Sequence, residues 1–259
     1  MENAVTNAAL ADATAPAVPP VLVAIDGPAG SGKSSVSREA ARRLGFGILD
    51  TGAAYRALAW ASLEMGVDLD DAGEVEAILS RWGYSSTLLG EPQIMVTLPP
   101  AAGDVAAITL AHDVTDAIRD PKVSGLVSHV SRHPGVREGL NTMFRRLVAE
   151  SGLPGVIIEG RDITTVVAPD APVRILLTAS PEVRAARRSG ELSGSDAAQV
   201  LADLAARDAK DAQVVDFFNP APGVTLVDTS DLDFEGSVNA VIDIVQALPA
   251  NASQEDTNE

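Results

Sequence analysis

The 259-residue chain contains no cysteine and few aromatic residues. The lack of cysteine excludes a disulfide framework, a thiolate metal site and a cysteine nucleophile, and it gives no sign of an oxidising compartment. Aromatic residues make up 3% of the chain and hydrophobic residues 46%. We therefore expect a core built mainly of Ala, Val, Leu and Ile.

Basic residues are also scarce. The chain has 19 Lys and Arg against 36 Asp and Glu, which gives a formal net charge of -17. A field of this sign repels nucleic-acid backbones and anionic bilayers, so we expect neither nucleic acid nor a membrane as a partner. A small anionic substrate stays compatible with the composition if the cations are concentrated in one place.

Long apolar runs are missing as well. No stretch of the sequence approaches the roughly 18 consecutive apolar residues of a membrane helix, and Glu2 stands where a secretory signal carries basic residues. We therefore predict a cytoplasmic location. Residues 1–18, rich in Ala and Pro, and the acidic residues 250–259 are predicted to be disordered tails.

Five short apolar runs are spread along the rest of the chain. They lack an in/out alternation, which is typical of strands covered on both faces of a parallel sheet. Helical patterns lie between them; after the first run, Val36, Ala40 and Leu44 recur at helical spacing before Gly45. This order predicts an α/β fold with a parallel sheet. The five runs are residues 21–25, 46–49, 156–158, 173–177 and 224–227.

The interval from about residue 61 to residue 155 lacks this rhythm. Gly and Pro punctuate a mixed polar and apolar pattern there, which predicts an insertion with small strands and helices of its own. Insertions on a rigid sheet commonly carry substrate selection. A polar segment at residues 189–196 is typical either of a mobile flap or of an ordinary surface loop.

A phosphate-binding loop follows the first apolar run. Residues 27–34 fit G-x-x-x-x-G-K-[ST] between a predicted strand and a predicted helix, the context that this motif requires. The glycines let backbone N–H groups converge on phosphate oxygens, Lys33 would reach the β- and γ-phosphates, and Ser34 would hold Mg²⁺. The residues expected to bind the nucleoside triphosphate are Gly27, Pro28, Ala29, Gly30, Ser31, Gly32, Lys33, Ser34 and Ser35.

Other reactive side chains follow further runs. Residues 50–56, DTGAAYR, place a hydroxyl, an aromatic ring and a guanidinium at the carboxyl edge of the predicted sheet, where ligands bind in such folds. Glu159, Arg161 and Asp162 follow the third run, and an acidic residue there commonly orders a magnesium-bound water. Three cations then share one helical face, which is also typical of a solvated surface: Arg184, Arg187 and Arg188.

Together, these strings carry a family resemblance. IDGPAGSGKSS, LDTGAAYRALA, VIIEGRDITTVVAPDAPVRILLTAS and RDAKD resemble the bacterial cytidylate kinases of the nucleoside monophosphate kinase family, from about residue 21 to residue 248. The resemblance implies a P-loop kinase core with a five-stranded parallel sheet. The implied parts are a core in two pieces (19–60 and 123–249), an NMP-binding insertion (61–122) and a short lid at about 184–197.

The resemblance also implies the reaction. The γ-phosphoryl group of ATP would pass to CMP or dCMP, with Mg²⁺ as cofactor, in a monomer. The implied catalytic residues are Lys33, Arg161, Arg184 and Arg188. The implied CMP-binding residues are Thr51, Tyr55, Arg56, Ser128, Arg137, Arg161, Asp162, Arg207 and Asp211.

The chemistry of the residues agrees with these roles. The phosphate of CMP is already an anion, so the reaction needs no general base, and catalysis is positioning and charge neutralisation. Asp162 suits the amino group of cytosine, whereas uracil would present a carbonyl to it. Tyr55 beside several Ala residues is also typical of core packing, and Arg207 with Asp211 of an ordinary helical ion pair.

The chain departs from the family pattern at three places. Val214 stands where the family has an Arg, Thr164 stands where it has a Gly, and the lid is several residues short. Loss of one preorganised donor typically lowers turnover by about 10² to 10³. Two alternatives therefore stay open: a nucleotide-binding P-loop module with impaired catalysis, and a small-molecule kinase with another acceptor.

Overall fold

The structure, a computed structural model, describes residues 19–100, 110–191, 197–212, 216 and 218–248. The two predicted tails and Val214 lie outside these residues. The strands are β1 (Val21–Asp26), β2 (Gly47–Asp50), β3 (Gly83–Ser86), β4 (Ile94–Thr97), β5 (Ala111–Asp113), β6 (Gly155–Gly160), β7 (Val173–Thr178) and β8 (Thr225–Asp228).

The α-helices follow the same chain order. They are α1 (Lys33–Leu44), α2 (Thr51–Glu64), α3 (Ala72–Leu79), α4 (Pro121–Ser124), α5 (Val127–Ser131), α6 (Pro134–Ala149), α7 (Pro181–Glu191), α8 (Ala197–Asp211) and α9 (Phe234–Gln246). A short 3₁₀ helix spans Ala117–Arg119, and a π-helical turn spans Ile163–Val167. No helix in the described ranges is both long and apolar enough to cross a membrane.

The central sheet is parallel and has the strand order β2-β6-β1-β7-β8. This confirms the predicted α/β fold with a five-stranded parallel sheet, and each of the five apolar runs forms one of its strands. β6 is buried along its whole length because both faces of the sheet are covered.

Helices cover the two faces of this sheet with small and branched side chains. On one face, α9 contributes Val238, Val241 and Val245, which pack with Val23 and Ile25 of β1. On the other face, α2 buries a series of alanines and lets backbones approach closely, which agrees with the low aromatic content. The buried alanines of α2 are Ala53, Ala54, Ala57, Ala59 and Ala61.

A second, antiparallel sheet has the order β3-β4-β5 and lies within the interval predicted to be an insertion. The exact domain boundaries stay predictions. Since the carboxyl ends of parallel strands meet at one edge of a sheet, β1, β2 and β6 deliver the residues that follow Asp26, Asp50 and Gly160 to the same place.

Candidate active site

The phosphate loop connects β1 to α1 in a conformation that depends on glycine. Gly30 has φ 74° and Gly32 has φ 86°, both in the left-handed region that glycine adopts most readily. Gly32 is also the N-cap of α1, and no side chain caps this helix end. The first N–H groups of α1 therefore face the loop, where the positive end of the helix dipole favours phosphate oxygens.

Arginines from two other elements hold the backbone of this loop. Each donates from Nη1 to a loop carbonyl: Arg161 to Gly27 at 2.8 Å, Arg184 to Ala29 at 2.9 Å, and Arg187 to Ser31 at 3.0 Å. Arg161 follows β6, and the other two lie on α7. The fold thus brings cations that are far apart in the chain to the loop that carries Lys33.

A hydroxyl and a carboxylate meet beside the loop. The Ser34 Oγ donates to Glu159 Oε1 at 2.6 Å, and Glu159, on β6, is 3% exposed. Burial raises the pKa of Glu159, and the nearby Asp50 raises it further, while Lys33 and the Ser34 hydrogen bond lower it. The net shift of this pKa is upward, since desolvation is the largest influence.

These two groups fit Mg²⁺. Oxygen ligands are the ones that Mg²⁺ prefers, and at kinase sites the ion usually takes one or two groups from the protein and the rest from substrate phosphates and water. Within the described part of the chain, no cluster of three His, Asp or Glu residues could hold a metal ion by itself. Ser34 and Glu159 therefore suit an ion that arrives with a nucleotide.

A second polar pair lies past the end of β6. Arg137, near the start of α6, donates from Nη2 to Asp162 Oδ2 at 2.6 Å, and the Asp162 side chain is 11% exposed. Burial raises the pKa of Asp162, against the effect of Arg137. A carboxylate held this way can accept a hydrogen bond from a ligand, and its guanidinium partner can donate one.

Tyr55 borders this pair and also packs in the core. Its ring centroid lies 6.4 Å from that of Phe144. Burial raises the pKa of its hydroxyl, the Asp162 charge raises it further, and the Arg137 charge lowers it. The Tyr55 ring therefore packs in the core and lies close to the Arg137–Asp162 pair, and its role in CMP binding stays a prediction.

The start of α2 contributes two more of the expected residues. Thr51 is buried and donates from Oγ1 to the Glu159 carbonyl at 2.9 Å. Asp50 caps the helix by accepting the Ala53 N–H, and its other oxygen accepts Arg56 Nη2 at 2.9 Å. The Arg56 guanidinium is thereby held at the carboxyl edge of the sheet.

Comparison with known proteins identifies the family. The cytidylate kinase family profile matches residues 23–247. A cytidylate kinase of Cutibacterium acnes is 43% identical over 227 residues, which cover 87% of this chain and 96% of that protein. The chain belongs to the cytidylate kinase family. A cytidylate kinase of Streptomyces avermitilis is 41% identical over 88% of this chain and 94% of its own length.

A further relative is a longer, bifunctional protein that this chain matches over part of its length. The bifunctional pantoate ligase/cytidylate kinase of Synechococcus sp. strain WH7803 is 42% identical over 88% of this chain, and the match covers 44% of that longer protein. The part that corresponds to this chain is thus one portion of a fused protein.

The remaining residues expected from the cytidylate kinase resemblance lie on three helices. Ser128 is half-buried on α5, which packs against α2. Arg188 is exposed on α7, whereas Arg184 is 7% exposed and forms an ion pair with Asp208. Arg207 and Asp211 are on α8, and their side chains lie outside the described residues.

One departure from the cytidylate kinase pattern has a structural explanation. Asp26 is 3% exposed and accepts the backbone N–H groups of Ile163 and Thr164 at 2.7 and 2.9 Å. The Thr164 hydroxyl, absent in the usual Gly, donates to Asp26 Oδ2 at 2.6 Å. Thr164 therefore adds a hydrogen bond to a buried carboxylate.

Two buried carboxylates, Asp26 and Asp208, have no role among those expected from the sequence. Both are buried and contact backbone groups that are distant in the chain: Asp26 meets residues 137 and 138 positions away, and Asp208 meets Ala29 at a separation of 179. Asp26 belongs to the string IDGPAGSGKSS and Asp208 to RDAKD, but neither string by itself shows that these two carboxylates, unlike the many surface ones, are buried among donors.

Proposed function

We propose that this protein is an ATP-dependent kinase that converts CMP or dCMP into CDP or dCDP. The observation that carries the proposal is the arrangement at one sheet edge of a phosphate loop with Lys33 and, past β6, the Arg137–Asp162 pair, in a chain of the cytidylate kinase family.

The donor half of the site is assigned to the phosphate loop. The N–H groups of the loop and of the first turn of α1 bind the phosphates of ATP, and Lys33 reaches its β- and γ-phosphates. Ser34 and Glu159 hold Mg²⁺ together with those phosphates. When bound, Mg²⁺ neutralises charge that develops on the transferring phosphoryl group.

The acceptor half is assigned to the residues around Asp162. Asp162 accepts the amino group of cytosine, and Arg137 with Ser128 donates to O2 and N3 of the base. The contact between Arg137 and Asp162 keeps both groups in place before CMP arrives. Thr51, Tyr55 and Arg56 line the pocket for the phosphate and the sugar of CMP. Arg161 holds the acceptor phosphate, and Arg207 and Asp211 contact the ribose.

The chemical step requires positioning and charge neutralisation. A phosphate oxygen of CMP attacks the γ-phosphorus in line, and the bond to the β,γ-bridging oxygen breaks as ADP leaves. No proton has to be removed from the attacking oxygen. Lys33, Arg161, Arg184 and Arg188 compensate the negative charge on the transferring group.

Family membership argues against both alternatives, the impaired module and the kinase for another acceptor. Four expectations stay predictions: a monomer, a cytoplasmic location, and no binding to nucleic acid or to membranes. The preference between CMP and dCMP belongs to the same proposal, since the ribose contacts assigned to Arg207 and Asp211 would set it.

An acceptor series tests the function. ADP release is measured with CMP, dCMP, UMP and AMP for the wild type and for Asp162→Asn, with Asp170→Asn, an exposed turn residue, as the matched control. We expect the wild type and the control to prefer CMP. A hydrogen bond to a charged group contributes about 1.5–3 kcal/mol, so Asp162→Asn should lower kcat/KM for CMP by about 10- to 150-fold.

Two results would contradict this assignment. Turnover of UMP or AMP without turnover of CMP would overturn the acceptor. An unchanged ratio of CMP to UMP kcat/KM in Asp162→Asn would remove Asp162 from base recognition while leaving the kinase assignment intact.

A further inference from the structure

Asp208, a residue outside the roles assigned above, connects α8 to the phosphate loop. It is 3% exposed, although it lies on a helix whose neighbouring positions Ala205, Ala206, Ala209 and Lys210 are exposed. Its Oδ1 accepts the N–H of Ala29 at 3.2 Å. One oxygen of this carboxylate therefore contacts the backbone of the nucleotide-binding loop directly.

Two of the arginines that hold the loop meet at the same carboxylate. Arg184 Nη1 donates to Asp208 Oδ2, and Arg161 Nη1 lies 3.6 Å from Oδ1. The same Nη1 atoms donate to the loop carbonyls of Ala29 and Gly27. Asp208 thus lies where α7, α8, the loop and the segment after β6 come together.

The third arginine of the loop has a different anchor. Arg187 donates to the Thr229 hydroxyl at 3.0 Å and to the Thr229 carbonyl at 2.8 Å. Each loop-holding arginine therefore has a second partner, and the two residues proposed to stabilise the transferring phosphoryl group, Arg161 and Arg184, have the same one. Arg187 is thus held by uncharged groups of Thr229, whereas Arg161 and Arg184 are held by the charged carboxylate of Asp208.

We propose that Asp208 is a positioning residue for phosphoryl transfer: it sets the Arg161 and Arg184 guanidiniums above the phosphate loop through one shared, buried carboxylate. This inference rests on the proposed function. A misplacement of about 1 Å in a catalytic group can lower the rate about 10²-fold, which is the scale on which such an anchor acts. The alternative is that the Asp208 carboxylate lies where a nucleotide phosphate binds and only competes with the nucleotide for that position.

Asp208→Asn distinguishes the two roles, because asparagine keeps the size of the side chain and an acceptor for the Ala29 N–H but removes the charge. A positioning role predicts that kcat falls by at least about tenfold while KM for ATP and for CMP changes by less than about threefold. Asp203→Asn, the same change at an exposed site of the same helix, should leave both parameters unchanged. Circular dichroism and urea unfolding verify that both variants are folded.

A double-mutant cycle then tests whether Asp208 acts through an arginine. If it acts through Arg184, Asp208→Asn lowers kcat much less in an Arg184→Lys background than in the wild type. Equal fold losses in the two backgrounds would overturn the inference, as would a folded Asp208→Asn with wild-type kcat. A fall in KM at unchanged kcat would also overturn it and would identify competition with nucleotide. Failure of the wild type to phosphorylate CMP would instead overturn the proposed function itself.

Discussion

At the scale of single residues, Asp26 and Thr164 show how a buried charge is accommodated at the sheet edge. A buried carboxylate is costly unless hydrogen bonds surround it. Three donors surround Asp26: the backbone N–H groups of Ile163 and Thr164, and the Thr164 hydroxyl, which a glycine at this position would not supply.

We predict that Thr164→Val destabilises the protein. Valine matches threonine in volume but removes the hydroxyl, so the expected loss in the free energy of unfolding is about 1–3 kcal/mol. Thr165→Val, at an exposed neighbouring position, should change this free energy by less than about 0.5 kcal/mol. Urea unfolding of both variants at pH 7 measures the difference.

The pH dependence of this loss has a definite sign. Burial raises the pKa of Asp26 above 3.8, and the bonds from Thr164 oppose that rise, so Thr164→Val should raise the pKa of the folded state further. The folded variant then gains its proton at a higher pH than the folded wild type. The stability loss should therefore be largest near neutral pH and shrink as the pH falls through the Asp26 pKa. A loss that grows on acidification would contradict this account.

Single-residue roles divide into those that a local pattern shows and those that it does not. The positions of Lys33 and Ser34 at the start of α1 were predictable because the loop motif places them by spacing alone. The contacts of Asp208 with Ala29 and of Asp26 with Ile163 and Thr164 were not, because each joins residues more than 130 positions apart and depends on how distant elements meet in the fold.

At the scale of elements, the inner strands β1, β6 and β7 of the central sheet were predictable because they are largely buried on both faces and so read as continuous apolar runs. In the β3-β4-β5 sheet, β3 and β5 lack such runs, and β4 has only three consecutive apolar residues, which alternate between buried and half-buried positions. Helix α6 was not assigned either, although Val136, Leu140, Phe144 and Val148 recur every four residues and are buried. This helical spacing is local to the sequence, but the Gly and Pro residues of the interval around α6 obscured it.

The backbone of the phosphate loop is constrained at Gly30 both by its φ angle and by its neighbours. A Cβ at Gly30 would be in the left-handed region and would also lie 2.9 Å from the Arg184 carbonyl, whereas one at Gly66, with φ 67°, would meet no atom within 4 Å. Alanine at Gly66 would therefore introduce backbone strain alone, whereas alanine at Gly30 would introduce strain and a steric clash.

We predict that Gly30→Ala and Gly66→Ala both lower the free energy of unfolding by about 1–2 kcal/mol from strain. In Gly30→Ala, the clash with α7 should additionally weaken ATP binding, measured by isothermal titration calorimetry, by at least tenfold. Wild-type ATP affinity in Gly30→Ala would contradict the described loop geometry, and an equal loss of affinity in Gly66→Ala would show that the effect is not local.

At the scale of the whole molecule, the acidic composition and the nucleotide site are compatible because the cations are unevenly distributed. Nine of the 19 basic residues fall in the motifs proposed to handle nucleotides: Lys33, Arg56, Arg137, Arg161, Arg184, Arg187, Arg188, Arg207 and Lys210. The net charge of -17 therefore belongs mainly to the rest of the chain.

We predict that salt stabilises the fold. Self-repulsion of a strongly charged protein destabilises its compact state, and raising the ionic strength from 0.01 to 0.15 M shortens the Debye length from about 30 Å to about 8 Å. The Tm should therefore rise over this range of NaCl concentration. An uncharged osmolyte at equal osmolality is the control, and a Tm that falls with NaCl would show that specific ion pairs outweigh the repulsion.

We propose that Lys33 and the arginines near it compensate the negative charge of the phosphoryl group as it passes from ATP to CMP. The most direct measurement follows the label from γ-³²P-ATP into CDP for the wild type, Lys33→Ala and Lys122→Ala, the last at an exposed position of α4. We expect labelled CDP from the wild type and from Lys122→Ala at equal rates, and a loss of about 10²- to 10³-fold or more in Lys33→Ala, the scale for one preorganised donor. Labelled CDP at the wild-type rate from a folded Lys33→Ala, or none from the wild type, would contradict the account.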